Sequence, residues 1–352
     1  MKILRIYTRV PPMRGGMEKH IYHLTLEQNK LGHDVTVYFN RGEKITDKDV
    51  QITKIPLDAT KPRFVGIILF YFLIVIKVLF KKVNYDVVHI HGDWSSLIFS
   101  KLIKKLTNAN VLVFSIHDDI KENFIYKYIF SVLLKQVDII FSTGFSAAKK
   151  IKLISDKNVI VQPSGINKIF FEPNIKNHNN ATMQVITVAN LVPKKNLNLV
   201  LDIAKELQSI NFIIVGDGNE KSRIQKRITN ENIDNLKLLG FKTLDEVKTL
   251  YCESNLFLLT SYAEGTPTAI LEAMKCGLPI VCSNIGGIKE LIKENINGNV
   301  IDGYIKEDYI KKMLKFDSNL IKKVSENNSL LADRFSWGKV SLKITKIIYS
   351  HK

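Results

Sequence analysis

The stretch LFLLTSYAEGTPTAILEAMKCGLPIVCSN, residues 256–284, predicts a strand, a loop, a helix and a second strand. The apolar run that opens it ends at Thr260, and a second short apolar run covers residues 280–282. Between the two runs, Pro267 indicates the start of a helix, because proline is well tolerated in a first helical turn. A strand, a helix and a strand in this order indicate a parallel sheet.

Short apolar runs alternate with longer helical stretches along the whole chain. The predicted strands of a first series lie at residues 3–7, 34–39, 87–90, 111–116 and 139–142. Those of a second series lie at residues 184–188, 212–215, 236–239, 256–259 and 280–282. The predicted fold class is therefore α/β, with two Rossmann-like, doubly wound domains and a ligand site in the cleft between them. We place the first domain at residues 1–163, the second at 164–330, and a C-terminal helix at 331–352.

The composition limits the size and the partners of the protein. Its 352 residues suggest about two domains of roughly 150 residues each. The net charge of +17 implies an anionic partner. Because the lysines are spread along the chain and no nucleic-acid-binding motif stands out, we expect an anionic membrane surface or phosphate-bearing substrates, and no nucleic acid. Three cysteines without metal-ligand spacing fit a reducing cytosol, and the first ten residues predict a strand rather than a signal peptide.

Residues 64–80, FVGIILFYFLIVIKVLF, form the most apolar segment, and Lys77 is its one charged residue. Its length is at the lower limit for spanning a bilayer, about 17 residues. A fully buried helix is one interpretation, whereas Lys81 and Lys82 favour a helix lying in the cytoplasmic leaflet. We favour a cytoplasmic protein that is peripheral on the inner face of the plasma membrane. A true span is disfavoured, because it would place strands of one sheet on opposite sides of the membrane.

Two glutamates flank the predicted helix start: Glu264 lies in the loop before it, and Glu272 lies about two turns inside it. The unpaired N–H groups and the dipole of a helix start favour an anion. Carboxylates beside such a start accept hydrogen bonds from sugar hydroxyls. Taken singly, Glu264 is explained by the helix dipole and Glu272 by a solvated helix surface. Together with Gly265, Pro267 and the later glycines, they favour a ligand site.

The stretch at residues 261–292, with these two glutamates, resembles the signature of the family-four retaining glycosyltransferases of the GT-B fold (glycosyl transferases group 1). PPMRGGMEKHIYHLTLEQNKLGHDVTVY (11–38) resembles the family's opening loop, helix and second strand, and DVVHIHG (86–92) its third-strand region. SIHD (115–118) is similar to the segment of the active-site histidine, and ANLVPKKN (189–196) to the phosphate-binding stretch. PSGIN (163–167) resembles the entry into the second domain, and RFSWGKV (334–340) the closing helix, which packs back on the first domain in the family.

The resemblance implies roles for the matched positions. Lys195 would neutralise the donor diphosphate, Glu264 would bind hydroxyls of the donor sugar, and His117 would contact the donor sugar or lie near the acceptor. These three are the candidate catalytic residues. The candidate donor-binding residues are Gly16, Asn190, Gly240, Phe241, Lys242, Gly265, Thr266, Pro267, Thr268 and Glu272.

Within the donor-binding set, the resemblance implies that Glu272 binds the ribose and that residues 240–242 flank the nucleobase. Gly16 would let its loop approach the phosphates, because a residue without Cβ permits that contact. Asn190 stands where the family usually has an arginine, and the neighbouring Lys194 is a candidate to compensate. The family works without an Asp-x-Asp metal pair. We therefore expect no metal site and no cofactor, since the nucleotide-sugar is a substrate.

The other histidines and the Gly-Asp-Gly sequence at residues 216–218 are interpreted as structural. His89 and His91 flank the end of a buried strand, where core roles are favoured over metal ligation. His20 and His23 are predicted to be non-catalytic helix residues. The Gly-Asp-Gly sequence lacks the third glycine of a dinucleotide-binding fingerprint.

The predicted function is transfer of a hexose-type sugar from a UDP- or GDP-linked donor to a glycan or polyprenyl/lipid-linked acceptor, in polysaccharide or glycoconjugate biosynthesis. One alternative is a non-catalytic GT-B-like partner subunit, for which Asn190 is the only support. A second is an enzyme like UDP-N-acetylglucosamine 2-epimerase. The EGTP loop at 264–267 fits that enzyme less well than a transferase.

Overall fold

The computed structural model describes residues 1–11, 16–42, 51–55, 63–117, 120, 123–172, 182–265, 267–294 and 296–351. The chain divides into two compact units. Residues 1–165 and 337–352 form the first unit, and residues 166–336 form the second.

The first unit is built on a parallel sheet whose strand order, within the described residues, is 3-2-1-4-5-6-7. Its strands are β1 Lys2–Ile6, β2 Asp34–Phe39, β3 Gln51–Lys54, β4 Val87–His91, β5 Val111–Ile116, β6 Ile139–Ser142 and β7 Val159–Val161. The helices that lie between these strands are α1 Gly16–Lys30, α2 Arg63–Lys81, α3 Ser100–Leu106, α4 Phe124–Leu134 and α5 Phe145–Lys152. In β1, Leu4 and Ile6 belong to one apolar cluster and Ile3 to another. This alternation indicates a sheet covered on both faces.

The second unit contains a second parallel sheet, with the order 10-9-8-11-12-13 among the residues described. Its strands are β8 Gln184–Val188, β9 Asn211–Val215, β10 Leu236–Gly240, β11 Leu256–Leu259, β12 Ile280–Ser283 and β13 Gly298–Ile301. Its helices are α6 Leu197–Glu206, α7 Lys221–Asn230, α8 Leu244–Cys252, α9 Thr268–Lys275, α10 Lys306–Met313 and α11 Ser318–Ala332. The chain order reverses between β8 and β11, which are neighbours. The crevice at the carboxyl ends of such a strand pair is where open α/β sheets bind ligands.

The last helix, α12 Trp337–Tyr349, belongs to the first unit and packs against α1. The segment predicted at residues 331–352 therefore has to be corrected, because residues 331–336 belong to the second unit. The physical reason is a backbone hydrogen bond of 2.9 Å from Ile166 N–H to the Phe335 carbonyl. This bond holds the chain segments around residues 166 and 335 next to each other. The unit boundaries therefore fall after residues 165 and 336 rather than at residues 163 and 330.

Three strands were missing from the sequence prediction: β3, β7 and β13. Each lies at the edge of its sheet and has only three or four residues. Four-residue strands such as β11, LFLL, were predicted because they are continuously apolar. The sequences QITK of β3 and GNVI of β13 have no such run, and β7 has only three residues, so a partner strand fixes each of them through backbone hydrogen bonds.

Helix α2 contains the apolar segment at residues 64–80. Phe70, Ile74 and Val78 form a buried stripe at a spacing of one helical turn. Leu69 and Phe72 lie outside that stripe and are exposed. Within the described ranges, no helix has both the length and the apolarity that crossing a membrane requires. The helix is thus part core and part exposed apolar surface.

Candidate functional site

Lys195 and Glu264 form an ion pair in the second unit. Lys195 follows β8 at the end of a short 3-10 helix, Pro193–Lys195, and Glu264 follows β11. The Lys195 ammonium donates to Glu264 Oε1, and the Ser261 hydroxyl donates to the same oxygen over 2.9 Å. The two charged side chains are only 13% and 10% exposed. The structure therefore brings together two of the three candidate catalytic residues, at the point where the strand order reverses.

Backbone contacts hold the two loops of this pair together. The Thr260 hydroxyl donates to the carbonyls of Lys195 and Asn196, over 3.2 and 3.0 Å. The Tyr262 N–H donates to the Lys194 carbonyl over 2.8 Å. Asn196 adopts a left-handed conformation, with φ of 49°, which turns the chain from the 3-10 helix into α6. Lys195 is therefore held in place by the hydrogen bond to its backbone carbonyl as well as by its ion pair with Glu264.

Gly286 supports the Glu264 loop from another side. A Cβ at Gly286 would lie 2.2 Å from the Glu264 carbonyl oxygen and 2.6 Å from that of Gly265. The φ of Gly286 is +54°, a conformation that favours glycine. The Ser283 hydroxyl also donates to the Ser261 carbonyl over 2.7 Å. The loop can come this close only because residue 286 has no side chain.

Helix α9 begins at Thr268, and Pro267 occupies its N-cap position in an extended conformation. The predicted start of a helix near Pro267 is therefore confirmed. Among the described residues, no side chain caps this end of the helix. Gly265 and Thr268 are exposed beside it, and Thr266 lies outside the described residues. An uncapped start of this kind is suited to an anion.

Glu272 lies inside α9, is half-buried, and has different neighbours from Glu264. Burial raises the pKa of Tyr251, and the Glu272 carboxylate adds to that rise. The Tyr251 hydroxyl donates to the Ala269 carbonyl over 3.3 Å. Glu272 is therefore near the buried Tyr251 ring of α8, whereas Glu264 contacts Lys195 and Ser261. Its assignment to the ribose stays a prediction.

The Gly-Asp-Gly turn that follows β9 shapes the loop containing Asn190. A Cβ at Gly218 would lie 2.3 Å from the Leu191 carbonyl oxygen, and the Leu191 N–H donates to the Asp217 carbonyl over 2.9 Å. The Asn190 side chain is exposed in this loop. The sequence analysis did not predict that this turn contacts the loop of Asn190, although two glycines directly after an apolar strand indicate a tight turn.

Residues 240–242 lie at the end of β10. Gly240 has a φ of +71°, and its carbonyl accepts the Gly216 N–H over 2.8 Å. Phe241 is 68% exposed. Lys242 pairs with Glu246 over 2.8 Å, and this hydrogen bond, with two from Thr243, lowers the pKa of the Glu246 carboxyl to about 2.

His117, the third candidate catalytic residue, is part of a histidine cluster in the first unit. His91 Nδ1 lies 3.1 Å from His117 Nε2, and the His20 and His117 rings are 4.8 Å apart between centroids. The His89 and His91 rings stack at 4.1 Å. The sequence interpretation assigned His20, His89 and His91 to structural roles, and the structure places all three around His117.

The clustered imidazoles are uncharged near neutral pH. Burial lowers the pKa of His117 to about 3, and it lowers those of His20, His89 and His91 well below the ordinary value. Arg5, in the middle of β1, is fully buried nearby, and its charge lowers the pKa values of His20, His89 and His91 further. The described residues contain no group of three or more His, Cys, Asp or Glu side chains arranged to hold a metal ion.

Arg5 and Gly16 complete the first-unit residues of interest. The Arg5 guanidinium donates to the Thr25 hydroxyl over 2.5 Å and to the Gln28 side chain, and burial lowers its pKa to about 9. The sequence signal that could have identified Arg5 as a buried charged residue is a single arginine inside an otherwise apolar strand. Gly16 is the first residue of α1, and a Cβ there would meet no atom of the described residues within 4 Å. The role of Gly16 at the phosphates stays a prediction.

Two family models match the chain in succession. The model "Glycosyltransferase Family 4" matches residues 14–168, and "Glycosyl transferases group 1" matches residues 168–328. The chain belongs to the group 1 glycosyltransferases. The family that the sequence motifs indicated is thereby confirmed.

Among similar proteins, a subunit of human phosphatidylinositol N-acetylglucosaminyltransferase is 27% identical to this glycosyltransferase over 304 residues. The match covers 81% of the chain and 62% of the human protein, so the chain spans less than two thirds of that relative. The lipopolysaccharide outer core galactosyltransferase WaaB has a TM-score of 0.82 at 18% identity, with full coverage of both chains. Anabaena HepE, in complex with UDP and glucose, has a TM-score of 0.75 at 17% identity, covering 99% of this chain and all of HepE. These structures confirm the predicted fold, with two Rossmann-like parallel-sheet domains.

Proposed function

We propose that this glycosyltransferase is a retaining hexosyltransferase that uses a UDP- or GDP-linked sugar as its donor. The observation that carries the proposal is the Lys195–Glu264 ion pair, located where β8 and β11 end. The pair combines a cation for a diphosphate with a carboxylate for sugar hydroxyls. HepE, a structural neighbour, was crystallised with UDP and glucose, which supports a donor of this class.

Donor binding exchanges one set of charge contacts for another. Lys195 leaves Glu264 to neutralise the diphosphate, whose anionic oxygens also face the uncapped start of α9 at Thr268. Glu264, released from Lys195, accepts hydrogen bonds from hydroxyls of the sugar. Glu272 binds the ribose in this scheme. Because each charge finds a new partner, neither is left without compensation in the bound state.

The reaction breaks the bond between the anomeric carbon and the β-phosphate oxygen, and it forms a bond from the acceptor oxygen to the same carbon. The electron pair of the broken bond goes to the nucleoside diphosphate. For retention, the acceptor attacks from the face that the diphosphate leaves, and the leaving phosphate oxygen takes the acceptor proton. Lys195 and the α9 start stabilise the growing negative charge. The nucleotide-sugar is consumed as a substrate, and we propose that no cofactor is needed.

The exposed apolar side chains of α2 favour contact with an acceptor or with a membrane surface. Val65, Leu69 and Phe72 are between 44% and 47% exposed, and Lys81 and Lys82 follow the apolar segment in the sequence. Apolar side chains next to lysines favour an anionic lipid surface. We propose peripheral attachment to the inner face of the plasma membrane, with an acceptor used in polysaccharide or glycoconjugate assembly.

A donor screen tests the proposal. UDP and GDP sugars are compared by thermal shift. The stabilising donor is then incubated with membrane extract, the product is identified by mass spectrometry, and its anomeric configuration is read by NMR. We expect one nucleotide class to raise Tm and one hexose to be transferred with unchanged anomeric configuration. An inverted product would contradict retention. Donor binding without any turnover would favour the non-catalytic partner subunit.

A further inference from the structure

Two side-chain hydrogen bonds cross from β4 to β5 by the same step. In the parallel register, His89 lies opposite Val113 and bonds to Ser115, with 2.7 Å between Nε2 and Oγ. His91 lies opposite Ser115, and its Nδ1 is 3.1 Å from Nε2 of His117. Each histidine thus contacts the residue two positions beyond its partner in the register, on the same face of the sheet. The second of these bonds reaches one of the three candidate catalytic residues.

The His117 ring is held from two sides. The His91 ring lies 5.4 Å away between centroids, with 28° between the planes, and the His20 ring meets it at 4.8 Å and 76°. His20 Nδ1 lies 2.8 Å from the Ser164 hydroxyl oxygen, so the His20 ring is itself anchored. His20 and His91 are only 3% and 1% exposed, whereas His117 is half-buried. Two buried imidazoles therefore orient a third that is partly open to solvent.

The two nitrogens of the His91 ring have different surroundings. Nδ1 faces His117, and Nε2 is buried without a hydrogen-bond partner among the described residues. Because the two nitrogens of an imidazole point in nearly opposite directions, Nε2 is directed away from His117. The bond made by one ring nitrogen of a histidine sets the proton on the other. The charge on the far side of His91 therefore decides whether its Nε2 is bare or protonated.

Arg5 supplies that charge. It is fully buried in β1, and β4 lies between β1 and β5 in the sheet. Its guanidinium donates to the uncharged side chains of Thr25 and Gln28, and its charge lowers the pKa of His91. A cation attracts the lone pair of a bare nitrogen and repels an N–H dipole. Arg5 therefore favours a bare Nε2 and a proton on Nδ1 of His91.

We propose that His91 is a positioning residue, whose Nδ1–H donates to His117 Nε2 and thereby holds the His117 proton on Nδ1. His117 then offers a hydrogen-bond donor, and no base, to a substrate oxygen. The inference rests on the proposed transferase function, in which the leaving phosphate oxygen takes the acceptor proton and no side-chain base is required. It gives a role in turnover to a histidine that the sequence motifs placed in the core.

The role is tested with His91→Phe, which keeps a ring and removes the bond to His117. His89→Phe is the matched control, because it changes an equally buried histidine of the same strand that bonds to Ser115 instead. We expect similar falls in Tm for the two variants. The kcat/KM for sugar transfer should fall by about tenfold in His91→Phe only, a change that the loss of one hydrogen bond explains. Equal kcat/KM values would show a merely structural role and overturn the inference.

Action through His117 is tested by combining the substitutions. In a His117→Ala background, His91→Phe should lower kcat/KM no further, because the group that it orients is absent. Losses that multiply would show that His91 acts independently and would contradict the inference. Wild-type kcat/KM in His117→Ala would also overturn it and leave the transferase function standing. Absence of turnover by wild type with every donor would contradict the proposed function itself.

Two variants of nearly equal size test the hydrogen bond itself. The side-chain nitrogen of an asparagine takes nearly the position of histidine Nδ1, so His91→Asn retains a donor to His117 Nε2. His91→Leu has no donor. We expect the asparagine variant to have several-fold higher kcat/KM than the leucine variant. Equal values would mean that the bond has no effect on turnover.

The tautomer is measured in wild type, so the inference does not depend on any variant that folds poorly. Chemical shifts of ¹⁵N at neutral pH should show Nδ1–H on both His91 and His117, whereas free histidine prefers Nε2–H. His117 should keep Nδ1–H in His91→Asn and shift toward Nε2–H in His91→Leu. Nε2–H on both rings of wild type would reverse the direction of the bond and overturn the inference.

Discussion

His91 Nδ1 lies 3.1 Å from His117 Nε2, and the two imidazoles share one hydrogen bond. Burial keeps both rings neutral near pH 7, so each has one N–H and one unprotonated nitrogen. A proton on His91 Nδ1 requires the His117 proton to be on Nδ1, and a proton on His117 Nε2 requires the His91 proton to be on Nε2. The two histidines must therefore have the same tautomer.

This tautomer relation is the first prediction, and ¹⁵N NMR of histidine-labelled protein measures it. We expect matching tautomers in wild type at neutral pH. In His91→Phe the constraint on His117 is removed, and its tautomer ratio should move toward that of free histidine. His351→Gln, at an exposed site near the C-terminus, should leave the His117 signals unchanged. Opposite tautomers on His91 and His117 would refute the shared hydrogen bond.

Lys195→Ala should lower kcat/KM by about 10²–10³-fold, the usual cost of removing one charge-stabilising donor. It also leaves the nearly buried Glu264 carboxylate without its cation, which we expect to lower the free energy of unfolding by up to about 3–5 kcal/mol. Steady-state kinetics and chemical denaturation measure the two effects.

Two further variants separate these effects. Lys194→Ala removes the exposed neighbouring charge and should change neither quantity much. Adding Glu264→Gln to Lys195→Ala should recover part of the lost stability but none of the activity. Turnover of Lys195→Ala at the wild-type rate would exclude a catalytic role for this lysine.

Gly286→Ala should displace the Glu264 loop, because the new Cβ would collide with the carbonyl oxygens of Glu264 and Gly265. Gly303→Ala is the matched control: its φ is also positive, at +86°, but a Cβ there meets no atom of the described part of the chain within 4 Å. Both variants carry a backbone strain of about 1–2 kcal/mol, and only Gly286→Ala adds the collision. We expect a larger fall in Tm and weaker donor binding for Gly286→Ala. Identical Tm values would indicate that the loop adjusts freely.

The buried histidines should make the protein less stable in mild acid. The pKa of His117 is about 3 in the folded protein, against an ordinary value of 6.5, so below pH 6.5 the unfolded chain binds a proton that the folded chain does not. Stability from this group is complete above pH 6.5 and is lost as pH falls toward 3, at about 1.4 kcal/mol per pH unit. His20, His89 and His91 have pKa values lowered in the same direction and add to the slope.

Denaturation curves between about pH 5 and pH 6 measure this slope. We expect His89→Gln to reduce it by about 1.4 kcal/mol per pH unit, because one buried histidine is removed. The control His351→Gln replaces an exposed histidine and should keep the wild-type slope. A slope unchanged by His89→Gln would mean that this histidine takes up a proton in the folded state.

The sequence predicted much of the fold because the information is local. Apolar runs such as residues 111–116 and 139–142 coincide with β5 and β6, since strands buried on both faces are continuously apolar. It failed at β3 (QITK) and β13 (GNVI), which lack a continuous apolar run, and at β7, which has only three residues. These edge strands are fixed by a neighbouring strand that offers backbone partners. It also counted residues 331–336 with the last helix, although the hydrogen bond from Ile166 to Phe335 places them in the second unit.

By itself, the sequence determined the α/β class, the family and the candidate residues Lys195, Glu264 and His117, because these follow from local apolar patterns and short motifs. Only the tertiary structure decided which of them meet. Lys195 and Glu264 are 69 positions apart, and they form an ion pair because β8 and β11 are neighbours at the reversal of strand order. His91 and His117 meet because β4 and β5 are adjacent and parallel. Strand order is set by packing of the whole sheet, and no spacing in the sequence states it.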